Sequence, residues 1–74
     1  MTNKEKLIRG LLAGAESNYT AVQAAVMVAI GESGLIDDHR LVEALQRGAD
    51  AHNQVVVSGA YTGMGLMLKN SNRQ

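Results

Sequence analysis

The stretch that most limits what this chain can become is residues 21–30, in which Gln23 is the only polar member. A helix of that composition offers no face suited to water, and so short a run falls well under the roughly 20 apolar residues that cross a bilayer. It is therefore expected to be a central core helix, residues 21–32. Thr20 and Gln23 have the spacing of a capping box at its start, and Ser33 and Gly34 end it. Gly34 suits the left-handed cap conformation, and Leu35 is placed to fold back onto the last turn.

What surrounds such a helix is also expected to be helical. The chain has no Pro, and Gly is its only breaker. Thr2 and Glu5 form a second capping-box pair, opening a helix of residues 3–16 whose apolar stripe is Leu7, Ile8, Leu11, Leu12 and Ala15. Asp37 or Asp38 caps a third helix, where a carboxylate also favours the positive end of the helix dipole. Beyond it Leu41, Leu45, Gly48, His52, Val55, Gly59, Thr62 and Leu66 repeat at 4-3-4-3-4-3-4, a heptad seam that carries the helix to residue 69. As far as Gln54 the opposite side is polar, with Glu43, Gln46, Arg47 and Asp50. Past it the same arc carries Val57, Tyr61, Met64 and Leu68. The pattern predicts an all-α protomer of three helices in one small domain, with a short core helix, a long helix over residues 38–69 and a tail over 70–74. The competing pattern is α+β. It ends the third helix near Asn53 and makes residues 55–68 a short strand region, because three β-branched residues precede Gly59, Gly63 and Gly65.

Size and side-chain stock point to a second chain. A 74-residue domain buries little interior, and such domains commonly rely on disulfides, a metal or a partner. There is no Cys, and Tyr19 and Tyr61 are the only aromatics, so the core must be built from small and aliphatic side chains. Two helices can cover one side of the long helix, but Val57, Tyr61, Met64 and Leu68 need another cover. They are the expected interface of a homo-oligomer formed through that helix, with Gly59 and Gly63 letting the partner approach closely. A two-fold dimer is the commonest closed form.

Charge and motifs exclude more than they assign. Seven basic and seven acidic residues give zero formal net charge, which removes the broad attraction behind non-specific nucleic-acid binding. His39 and His52 are thirteen positions apart, too far for a helical zinc pair, and no metal is expected. His52, on the apolar seam, is expected to be a buried imidazole satisfied by one hydrogen bond. Ser58, Tyr61 and Thr62 have no His or carboxylate placed to activate them, and the glycines from Gly59 to Gly65 lack the spacing of a phosphate-binding loop, so neither an enzyme nor a cofactor is expected. Arg40 and Arg47 lie among Glu43 and Asp50 on the polar arc of the third helix and are the candidates for an outer contact surface.

With no leader-like apolar run, no membrane span and no Cys, a cytoplasmic protein is expected. The function expected is that of a non-catalytic interaction protein, a helical homo-oligomer that binds or blocks another macromolecule, most simply a protein, as small phage and mobile-element accessory proteins do. Two alternatives have other partners. One is a helix-turn-helix regulator bound to nucleic acid, with the second and third segments flanking Gly34. The other is an oligomer holding a small anion or nucleotide between protomers.

Overall fold

Side chains and glycine set the helix ends. The Thr2 hydroxyl accepts the Glu5 amide at 3.1 Å, the Asp38 carboxylate accepts the Arg40 amide at 3.0 Å, and the Asn53 side-chain oxygen accepts the amides of Val55 and Val56 at 2.9 and 3.3 Å. Each satisfies amides that a helix start leaves without intrahelical partners. The computed structural model, which describes residues 1–72, thus contains α1 (Asn3–Ala15), α2 (Thr20–Ser33), α3 (His39–Ala49) and α4 (Gln54–Ser71). α2 ends on Gly34 at φ 66°, a left-handed conformation that costs glycine nothing. Leu35 then packs on the core, as its position after Gly34 implies.

The fold is all-α, and it corrects the sequence reading at several points. The long third helix is two helices. Its heptad seam ran through Gly48 and His52, but Asp50 closes α3 by bonding back to Arg47 and Gly48, and Asn53 caps a new helix. Periodicity carried by a glycine and a histidine supplied too little burial to hold one helix together against the side-chain cap that Asn53 offers a new one. Residues 55–68 are helical throughout, so the strand alternative fails. Thr20 does not cap α2 but is its first residue. Tyr19 stands at the cap without a side-chain bond, the Gln23 amide donates to the Ser17 carbonyl, and the Ser17 hydroxyl accepts the Tyr19 amide.

α2 and α4 form the heart of the structure. Their contacts advance together along both helices, Ala24 meeting Gly59, Met27 and Gly31 meeting Gly63, and Glu32 receiving a bond from the Asn70 amide at 3.3 Å, so the two run in the same direction. A Cβ on Gly31 would overlap the Gly63 backbone, and one on Gly63 would overlap the Met27 carbonyl and come within 2.7 Å of Leu45. Gly59 and Gly63, expected to admit another chain, instead admit α2 of the same chain. α1 and α3 cover the pair, contributing Ile8, Leu41, Ala44 and Leu45 to a core that includes Met27, Ile30, Ala60 and Met67. α2 is central but not wholly enclosed. Met27, Ile30 and Gly31 are buried, whereas Ala21, Val22 and Ala25 face outward. The backbone extends over 32 × 26 × 16 Å, and its short dimension holds two helix layers packed about 8–10 Å apart and no third, so no helix is covered on every side. Among the described residues, no helix is long and apolar enough to cross a membrane.

The backbone contact predicts a contrast between neighbouring glycines. Gly63→Ala should lower unfolding free energy by about 2 kcal/mol or more, since the added methyl meets backbone that cannot move aside. Gly65→Ala, with open space around its Cβ, should leave stability unchanged or raise it by about 0.5–1 kcal/mol through helix propensity. Urea denaturation of the two variants measures both.

Candidate functional site

Two features lie outside the core, and they face different chemistry. The first is an ionic clasp at the start of α3. Asp38 caps that helix and also holds Arg40, whose Nη2 donates to Asp38 Oδ2 at 2.8 Å and whose Nε donates to Asp38 Oδ1 at 3.1 Å. The guanidinium then reaches α1, with Nη1 and Nη2 donating to the two oxygens of Glu5 at 2.6 and 2.9 Å. Arg9, one turn further along α1, donates to the same Glu5 carboxylate at 3.1 Å. This forked geometry fixes the approach of α1 to α3. Hydrogen bonds from Arg40, and then from Arg9, hold the Glu5 carboxyl down from its ordinary 4.5 to about 2. Arg40 likewise lowers Asp38, and both carboxylates raise Arg40.

The clasp was not legible from local spacing. Glu5 lies 35 positions from Arg40, and its spacing from Thr2 drew it into a local capping box of which only the Thr2 half forms. Of the two arginines nominated for an outer contact surface, Arg40 is exposed but committed to two carboxylates. Arg47 is exposed beside it, in a shallow cleft of about 250 Å³ where Glu16 and Glu43 supply as many negative charges as the two arginines supply positive ones.

The second feature is apolar. α4 buries Val56, Gly59, Ala60, Gly63 and Met67 against the rest of the chain, leaving the neighbouring stripe of Val57, Tyr61, Met64 and Leu68 on its flank. Val57 and Met64 are half-buried, while Tyr61 is 61% and Leu68 64% exposed. Beside the stripe a groove of about 240 Å³ runs between α3 and α4, floored by Leu45 and Met67 and walled by Ile36, Val42, Met64 and Leu68, with Gln46 its one polar lining residue. Ile36 and Val42 were missed in the sequence. Ile36 stands in the turn after Gly34, where its 39% exposure followed from no periodic pattern, and Val42 lay outside the seam. Gly59 and Gly63, nominated with this stripe, are instead buried against α2.

His52 corrects the expectation of a buried imidazole. It lies exposed in the turn between α3 and α4, because the break at residues 50–53 removes the helical position that would have turned it inward. His39, the first residue of α3, is exposed as well. Among the described residues, no three His, Asp or Glu side chains gather where they could hold a metal ion.

No protein-family model, curated protein or solved structure matches the chain.

The clasp predicts an acid-dependent loss of stability with a definite sign. Glu5 is held down only in the folded chain, so its contribution is complete above about pH 4.5 and fades as pH falls toward about 2, where the carboxylate takes up a proton. Glu5→Gln should be less stable than wild type at neutral pH, and the two should converge in strong acid. Urea midpoints measured from pH 7 to 2.5 test this, and a difference that stays constant across the range would show that the clasp adds nothing in solution.

Proposed function

We propose that the chain is a non-catalytic interaction protein, a small helical homo-oligomer, that works by seating a macromolecule on the apolar face of α4 and the groove beside it. One observation carries the reading. Tyr61 and Leu68 stand more than half exposed on the same flank as a groove whose lining has no charged residue. Monomeric soluble proteins seldom leave a contiguous patch of that kind open without a use for it.

Magnitudes set how much of the face must be used. Fully covering a large apolar side chain gains about 1.5–3 kcal/mol, and Tyr61 and Leu68 have only part of that left to gain. Association itself costs about 4–15 kcal/mol in lost freedom of movement. Two side chains cannot meet that cost, so an occupant must also cover Ile36, Val42 and Met64 and fill the groove.

The two alternative readings lack an observation of this kind. A helix-turn-helix would present the start of α3 to phosphates, but Asp37 and Asp38 stand there and Arg40 is already held by Asp38 and Glu5. An anion site would need an electropositive pocket, and the cleft that holds Arg40 and Arg47 is balanced by Glu16 and Glu43.

Site-specific photocrosslinking in the native cell tests the reading. A photoreactive side chain at Leu68 is expected to capture a macromolecule, either another copy of the chain or a different protein, while the same group at Glu16 captures none. If Leu68 yields no crosslinked species, the face is not a working surface.

A further inference from the structure

Resting on the reading that the α4 face is the working surface, we infer that its occupant is a second copy of this chain, paired through α4 in an antiparallel two-fold contact. The stripe is self-complementary in that direction. Val57, Tyr61, Met64 and Leu68 are spaced 4-3-4, a sequence that reads the same from either end about a centre between Tyr61 and Met64. Reversing one copy over the other sets Val57 against the partner's Leu68 and Tyr61 against the partner's Met64, each larger side chain meeting a less exposed one. The same surface also carries both halves of a fit, an exposed ridge at Tyr61 and a groove, bounded by Ile36 and Val42, beside Met64, the residue that this register sets against Tyr61. A two-fold contact uses one patch on both chains, so ridge and groove on one face can fill each other.

Charge favours this occupant and this direction. A two-fold contact lays a patch on its own copy, so any net charge in it would repel itself, and the stripe and groove have none. Lys69 is the one charged residue of α4 and stands near its C-terminal end, while Asp50 is exposed in the turn before its N-terminal end. Antiparallel pairing brings each Lys69 to the end where the other copy has Asp50. Parallel pairing would set Lys69 beside Lys69 and align two helix dipoles, whereas the antiparallel arrangement opposes them.

The absence of native cysteine makes the direction measurable. Val57 and Leu68 are eleven positions apart, about 16 Å along a helix, which is beyond the roughly 7 Å Cα separation a disulfide can span. Under mild oxidation, Val57→Cys mixed with Leu68→Cys should therefore give a covalent dimer, while neither variant alone should. Light scattering of the unmodified chain at micromolar concentration should give twice the chain mass, falling to one chain mass in Tyr61→Glu. Disulfide dimers from each single variant would mean parallel pairing and overturn the inference, as would an unmodified chain that stays monomeric. A monomer whose Leu68 photocrosslinks to a different protein would keep the α4 face as a working surface but remove the homo-oligomer, whereas a monomer with no crosslink would remove both.

Discussion

The direct contact between the backbones of α2 and α4 is the constraint on which the rest of the structure depends. A chain with two tyrosines and no other aromatic cannot fill the space between widely separated helices. Gly31, Gly59 and Gly63 remove the need by letting the helices touch, so that dispersion between closely spaced atoms replaces bulk burial. The contact also fixes direction. Because α2 and α4 run parallel, the chain must return across the molecule between them, and α3 makes that return. The parallel pair aligns two helix dipoles, a modest electrostatic cost that close packing offsets.

From that arrangement follows the division of the surface. α1 reaches α3 through the Arg40 fork, and the charges of this side are of both signs and interspersed, with Glu5, Asp38, Glu16 and Glu43 around Arg9, Arg40 and Arg47. α3 lies beside α4, burying Leu41, Ala44 and Leu45 but leaving Tyr61 and Leu68 exposed. A backbone 16 Å deep holds two helix layers and no further one with which to cover them. The exposed apolar stripe is thus a consequence of how α4 is used twice. One flank is spent on α2 with residues of minimal size, and the larger side chains are left on the other.

Much of the local structure was legible in the sequence, and most of the errors were tertiary. Thr2, Asp38 and Gly34 act at helix ends as their chemistry implies, because a cap depends on atoms two or three residues away. The stripe of α1 was read correctly except for Leu7, which is 71% exposed and lies beyond the reach of α2 and α3. The break at residues 50–53 was missed because a heptad count treats Gly48 and His52 as equal to Leu41 and Leu45. In the structure the count holds only as far as Gly48, and burial restarts at Val56 on a different phase. Asn53 carried the cue, as a good cap residue immediately ahead of an apolar segment.

The candidate site was legible in part for the same reason. Val57, Tyr61, Met64 and Leu68 share a flank because they share a helix, and that much is local. The groove needed Ile36 and Val42 brought beside them, which depends on the turn after Gly34 and on the break before Asn53. Had α3 and α4 been one helix, Val42 and Met64 would lie 22 positions apart, about 33 Å along a straight rod, and no groove could form between them. The break that upset the heptad reading is what folds α3 back beside α4. It exposes His52, and it makes the surface on which the functional reading rests.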